Sequence, residues 1–357
     1  MTSKSMAARR MHQQHLWGEP CSSPEQVVGR FGAMQAQEFA IARWSIVQRT
    51  SSTDAAALDA ALRDGAILRT HIIRPTWHFV SAADLRWLLT VSAPRVHALN
   101  AYYYRKCEID AKLALRAQKV LARALEGGQQ LTRTELAGAF ERARITASGM
   151  RLAYLLMHAE LDGVITSGAL RGKQHTYAAF EARVPPGPAL TAEQALVELT
   201  RRYFATRAPA TVRDYARWAG LSLRDAQRGL DAVRTDLLCE EADGRTYWFV
   251  PGHDSAPVRS PRIDLVQGYD EYVMSYSESK GVLLPRIDSD KPLADASFLH
   301  AILCDGRVAG HFRVVREKRS TSIETRLYQP LSRVATRALD VAVERYAKFE
   351  GVPVTRR

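Results

Sequence analysis

The chain has no paired cysteines, long apolar runs or nucleotide-binding glycine patterns. Its cysteines, Cys21, Cys107, Cys239 and Cys304, lie far apart and form no C-x-x-C pair. That argues against zinc and against a disulfide framework, and for a reducing compartment. No stretch approaches the ~18 consecutive apolar residues of a membrane span. The opening MTSKSMAARRMHQQHLW is basic but has no apolar run, which excludes a signal peptide. G-x-x-x-x-G-K-[ST], H-E-x-x-H, G-x-S-x-G and a G-x-G-x-x-G after a strand are all missing. Acidic residues are scarce: 38 Asp+Glu stand against 50 Lys+Arg, giving a net charge of +12. Arg far outnumbers Lys and recurs beside expected helix starts and hairpins, so the surplus points to a polyanionic partner, nucleic acid.

The 357 residues are enough for several structural units. Residues 1–22 read as a loose lead-in. SSPEQVVGRF opens a helix with Ser23 as cap, Pro24 at the first position and Gln26 at the third. It runs to about Met34, and the chain turns near Gln35–Glu38. A second helix carries Ile41, Trp44, Ile46 and Val47. A third is capped by Thr53 or Asp54 and stopped by Gly65. LRTHIIRPTWHFV then reads as strand, broken by Pro75 into a hairpin or an edge. Helices follow from Ser81 to Gly128, with Pro94 expected to end or kink the first.

The pattern then resets. Thr132 and Glu135 form a capping box, a helix ends at Gly163, and a strand–turn–strand has its turn near Arg171–Gly172–Lys173. VPPGPAL reads as a linker. The stretch ATVRDYARWAGLSLRDAQRGLDAV has helix-turn-helix form around Gly220, and a hairpin turning at Asp243-Gly244 follows it. After the linker HDSAPVRSPR, the alternation around Asp305-Gly306 reads as a small antiparallel sheet. A terminal helix buries Ala335, Leu339, Ala342, Tyr346 and Phe349. The expected fold is α+β and helix-rich: three tandem winged-helix units with a small C-terminal β-domain and a closing helix. The expected units are 1–22, 23–128, 129–186, 187–255 and 256–357.

Few residues invite a chemical role. His71 and His78 sit on opposite sides of the proline break and read as structural or phosphate-contacting. Asp270 and Glu271 can in principle hold a metal or activate water, but as strand neighbours they face opposite ways. Gln35 and Gln37 stand at a helix–helix corner, flanked by Met34 and Phe39.

MQAQEFAIARWSIVQR resembles the N-terminal motif of the AlkZ-like, YcaQ-type DNA glycosylases. Arg69, Thr70, Arg74, Thr76 and His78 match that family's arginine- and threonine-rich strand. GYDEYVMSY, CDGRVAGHFRV and VERYAKF match its C-terminal part, and the resemblance spans about 23 to 350. It departs at Ser279 and Lys280, where the family usually has arginine. The resemblance implies three winged helices around a DNA channel and a catalytic glutamine–hydrophobic–glutamine, here Gln35-Ala36-Gln37. It implies excision of N-alkylated purines, including bulky adducts or crosslinks. Arg69, Arg74, Thr76 and His78 are the expected DNA contacts. No lysine flanks the motif to form a Schiff base, so a monofunctional enzyme is expected. The expected partner is double-stranded DNA carrying alkylated bases, with no metal, cofactor or membrane. The chain is expected to be a cytoplasmic, nucleoid-associated monomer. The alternatives are a non-catalytic winged-helix regulator and a structural nucleic-acid partner protein.

Overall fold

The computed structural model describes residues 2–187, 190–252, 259–284, 299–317 and 320–357. It is mixed α+β, and the order of elements follows the sequence expectation with several corrections. The expected linkers VPPGPAL and HDSAPVRSPR lie partly outside the described residues.

The lead-in is not loose. Ser3–Gln13 is a helix with a Thr2/Ser5 capping box, and it buries Met6, Ala7, Arg10 and Met11. The Arg10 guanidinium lies 3.6 Å from the Tyr276 ring centroid and donates to the Pro209 carbonyl at 2.9 Å. Trp17 donates its indole N–H to Asp264 at 2.8 Å. The helix is thus a clasp over later parts of the chain. Its buried face mixes Met6, Ala7 and Met11 with Arg10 and Gln13, two residue types that composition alone would assign to the surface.

Pro24–Phe31 forms as expected, with the Ser23 hydroxyl accepting from the Gln26 amide. The next segment departs from expectation. Met34–Gln35 is a two-residue strand, not part of a helical corner. It pairs antiparallel with Arg74–Ser81, placing Met34 opposite Phe79 and Gln35 opposite His78. Ile67–Ile72 pairs on the other edge, so Arg74–Ser81 is central. Helices Phe39–Val47 and Ala56–Asp64 pack against this sheet, and Gly65 closes the second with φ +87°.

Pro94 neither ends its helix nor begins a new one. Leu85–Lys106 continues across it, because the stripe Leu85, Leu88, Leu89, Ala93 and Val96 is buried on both sides of the proline. Burying several such side chains at ~1.5–3 kcal/mol each outweighs the ~3 kcal/mol cost of an internal proline.

The second unit has a separate core, which helix Ala111–Ala124 from the end of the first unit joins. With Arg133–Arg142, Gly149–Leu161 and a three-stranded sheet it encloses Leu121, Leu136, Phe140, Leu155 and Ile165. The Thr132/Glu135 capping box is present. In the third unit, Val212–Ala219 and Leu223–Val233 meet at Gly220, φ +65°. The hairpin Leu238–Ala242/Arg245–Phe249 turns at Asp243 (φ +50°) and Gly244 (φ +69°).

The C-terminal sheet has five strands, in the order Val354–Arg356, Thr321–Leu327, Arg307–Arg316, His300–Cys304, Ile263–Val266. It is not wholly antiparallel, since Val354–Arg356 pairs parallel to its neighbour after the terminal helix Arg333–Glu350 carries the chain back. That helix buries the five residues expected of it. Leu339, Tyr346 and Phe349 share one core with Val27, Phe31, Met34 and Trp44 of the first unit. The strand holding Gln35 is therefore fixed from both ends of the chain.

Candidate active site around Gln35 and Gln37

The backbone N–H of Gln35 donates to Glu271 Oε1 at 2.9 Å. Its side-chain oxygen accepts from Arg74 at 2.9 Å. Arg74 also donates to the Trp218 carbonyl at 2.8 Å, and the Trp218 indole N–H donates to Glu271 Oε2 at 2.7 Å. These four residues close a ring of hydrogen bonds that joins the first unit, the third unit and the C-terminal segment. Arg207, fully buried, braces it. It donates to Glu271 Oε2 at 2.7 Å and to the carbonyls of Phe31 and Ala33 at 3.1 and 3.0 Å. Its guanidinium sits 4.0 Å from the Trp218 ring centroid. Burial works against ionising Glu271, yet the charge and hydrogen bonds of Arg207, the Gln35 amide and Arg74 hold its carboxyl below the ordinary value.

Asp270 and Glu271 are not on a strand. Asp270 caps the one-turn helix Glu271–Met274 and pairs in bidentate fashion with buried Arg49 at 2.7 and 2.9 Å. Each carboxylate is taken up by an arginine, so their role is structural.

The opposite side of the strand is bolted by Arg69. It donates to the Ala36 carbonyl at 3.0 Å and to the Gln37 carbonyl at 3.4 Å. Its guanidinium lies 4.3 Å from the Trp77 ring centroid, and burial lowers its pKa to about 10, leaving it charged at neutral pH. The Ala36 amide donates to the Trp77 carbonyl at 2.7 Å. Pairing of Arg69 or Arg74 with Asp64 or Asp84 does not occur. Asp84 is held by Arg202 at 2.6 Å, and Asp64 by Arg63 at 3.1 Å.

The four residues expected to contact DNA divide. Arg69 is 9% exposed and His78 is fully buried, so both support the corner from within. His78 Nδ1 lies 2.9 Å from the Thr76 carbonyl, which can only accept, so Nδ1 carries the proton. Burial, chiefly, pushes its pKa well down, so the ring is neutral and Nε2 is a buried acceptor without a partner. Arg74 and Thr76 are half-buried and line a basic groove of about 630 Å³ with Arg95, Arg217 and Lys280. The Thr76 hydroxyl has no partner in the fold.

The two glutamines differ sharply. Gln35 is 4% exposed and its side chain is engaged by Arg74. Gln37 is exposed. A second cavity, of about 370 Å³, opens beside Arg69 and Trp77 and is closed by Lys173, His175 and Tyr177 from the second unit.

The hairpin tip that carries Arg74 is strained. Ile73, a buried β-branched residue, has φ +59°. Gly220 rests on it, because a Cβ there would sit 2.6 Å from the Ile73 carbonyl oxygen. The helix-turn-helix turn thus presses on the hairpin that positions Gln35. Sequence reading missed Arg207 and Trp218, which carry no local signal. At the departure from the family pattern, Ser279 accepts from Arg10 at 2.6 Å, so a guanidinium reaches that place from the first helix.

The architecture is that of a solved DNA glycosylase. The structure of Streptomyces sahachiroi DNA glycosylase AlkZ matches with a TM-score of 0.80 over 100% of both chains, at 21% identity. A curated relative, the interstrand DNA cross-link repair glycosylase of Streptomyces sahachiroi, is 22% identical over 98% of this chain and 96% of its own. The family model described as DNA glycosylase AlkZ-like matches residues 28–349, and the chain belongs to that family. It is accordingly a DNA glycosylase, and the reading as a non-catalytic regulator falls away. Among the described residues no helix is long and apolar enough to cross a membrane.

Proposed function

We propose that Gln35-Ala36-Gln37 hydrolyses the N-glycosidic bond of N-alkylated, cationic purines in double-stranded DNA. Bulky adducts are included, and so are interstrand crosslinks, the lesion in the name of the Streptomyces sahachiroi relative. The observation that carries this reading is the asymmetry of the glutamines: one fixed in a buried ring, the other open to solvent.

An alkylated purine already carries positive charge, so it departs without a strong general acid. The remaining task is to hold water against an oxocarbenium-like sugar. A carboxamide oxygen can accept from water and its N–H₂ can fix orientation, but it is no strong base. Gln37, exposed, positions the water. Gln35, immobilised by Arg74, presents its amide to the sugar. No lysine flanks the motif, which supports a monofunctional hydrolysis. The groove lined by Arg74, Arg95, Arg217 and Lys280 takes the phosphates. The helix–helix–hairpin units at 23–128, 129–186 and 187–255 act as winged helices around the duplex, with 256–357 as a β-domain. The protein works as a monomer at the nucleoid.

Single-turnover release of 7-methylguanine tests this. Gln35→Ala and Gln37→Ala should each slow it by about 10² or more, roughly 2.7 kcal/mol. Gln37→Asp should retain part of the activity with a changed lesion preference. Wild-type rates in both alanine variants would overturn the assignment.

A further inference from the structure

On the face of the long helix away from the glutamines, three side chains converge. His97 comes from the middle of Leu85–Lys106, His158 from the last turn of Gly149–Leu161, and Asp162 from the cap that ends it. Their nearest nitrogen and oxygen atoms all lie within 4.8 Å of one another. His97 Nε2 is 2.9 Å from one Asp162 oxygen, and His158 Nδ1 is 3.1 Å from the other. Ligand atoms ~2.0–2.1 Å from a tetrahedral zinc ion lie ~3.3 Å apart, so little movement would seat one. The side chains are 24%, 19% and 37% exposed, enough for an ion to enter.

The hydrogen bonds of this cluster converge on the Asp162 carboxylate, which accepts from the Gln118 N–H₂ and faces His97 Nε2 and His158 Nδ1. The Gln118 N–H₂ also lies 3.3 Å from His158 Nδ1. A cation seated among these groups would take the place of the protons on the two ring nitrogens. The His97 ring is prepared for this change. His97 Nδ1 lies 2.9 Å from the Tyr104 hydroxyl, which can donate to it or accept from it. When Nδ1–H donates to Tyr104, Nε2 is left as a bare lone pair aimed at the cluster, the outer arrangement typical of a metal-bound histidine. The site also lies at a helix C-terminus, where the backbone dipole favours a cation.

We infer that His97, His158 and Asp162 bind one zinc-class divalent ion, with Gln118 Oε1 or water completing the tetrahedron. Two imidazoles select zinc over magnesium or calcium, which prefer all-oxygen sets. The ion staples the long helix of the first unit to the second unit. The sequence concealed it because its ligands include no cysteine and His97 is far from the His158-x₃-Asp162 pair.

Full-length protein stripped by a chelator and then titrated with Zn²⁺ against a chromophoric competitor tests this. One equivalent should bind per chain and raise Tm. His97→Ala and His158→Ala should each weaken binding by about 10² or more and abolish the Tm shift. His175→Ala, outside the cluster, should bind as wild type. Co²⁺ in the wild-type protein should give the intense visible bands of four-coordinate nitrogen–oxygen ligation, a readout that needs no variant. Absence of those bands, no binding at micromolar zinc, or unchanged affinity in His97→Ala would overturn the inference.

Discussion

Gln35 and Gln37 are two residues apart and chemically identical, yet the fold treats them as opposites. Gln35 is locked by its backbone to Glu271 and by its side chain to Arg74, at 4% exposure. Gln37 is held only through its carbonyl, by Arg69, and its side chain is left to solvent. The end of the strand accounts for half of this, since alternation alone would put residues i and i+2 on one face. Gln35 pairs with His78 in the sheet, whereas Gln37 lies beyond the last paired residue, where the chain leaves for helix Phe39–Val47. The other half comes from Arg207, Trp218 and Glu271, which arrive from far along the chain to build a wall behind Gln35 alone. The proposed hydrolysis asks for one rigid amide to orient the sugar and one accessible amide to hold water, and one sequence motif offers both.

The sharpest way to break this asymmetry is Glu271→Ala. It leaves the buried Arg207 charge without its partner and opens the ring. The cost should be about 3–5 kcal/mol of folding stability, read as a lower urea midpoint, with loss of base release in whatever remains folded. Glu271→Gln keeps the shape and removes the charge, and it yields a pH signature. The Glu271 carboxyl is held below its ordinary value. Its contribution to stability is therefore complete above the unfolded-state pKa and is lost as pH falls through the folded one. The acid limb of the wild-type stability curve should be steeper than its exposed carboxylates alone would give, and Glu271→Gln should flatten it. An unchanged acid limb would mean that Glu271 carries little of the linkage.

Next in size is Arg74→Ala, which frees the Gln35 side chain but leaves the strand in place. Single-turnover excision should fall by about 1–3 kcal/mol of transition-state stabilisation, with a smaller change in DNA affinity. A loss confined to affinity would return Arg74 to the simple phosphate contact that the sequence suggested. Arg69→Ala should instead lower Tm, because that guanidinium is buried against Trp77 and the corner carbonyls.

The smallest effect concerns Thr76. Its hydroxyl has no partner in the fold, so Thr76→Val should leave folding stability unchanged or raise it by up to about 1 kcal/mol. If affinity for duplex DNA nevertheless drops, the buried hydroxyl becomes uncovered as the duplex binds, and the groove beside Arg74 is where the backbone lies. Unaltered affinity would move the duplex elsewhere.

Elements governed by neighbouring residues were legible in advance. Ser23 and Thr132 cap as their positions demand. The pair Asp243-Gly244 turns a hairpin, and Gly220 joins two helices through a left-handed bend. The Gln-x-Gln motif was also legible, through its resemblance to a family whose model covers most of the chain. What failed was any judgement that depended on a distant partner. Residues 3–13 appeared loose because their burial depends on Pro209, Tyr276 and Ser279. Asp270 and Glu271 appeared to lie on a strand because nothing local announces Arg49 and Arg207.

The sequence by itself determined where helices start, where hairpins turn, how much net positive charge the chain carries, and which two glutamines flank a single alanine. Those properties depend on dihedral preference, capping and composition, all set within a few residues. Only the tertiary structure decided that Gln35 is a buried, braced strand residue and Gln37 an exposed one, that Arg69 and His78 face inward, and that His97 meets His158 and Asp162. The burial of Gln35 and the histidine–aspartate cluster depend on groups far apart in sequence reaching hydrogen-bond distance, as Gln35 and Glu271 do across 236 positions and His97 and Asp162 across 65. Such a meeting is set by the packing of shared cores, because a buried polar atom takes whichever partner the fold brings to it.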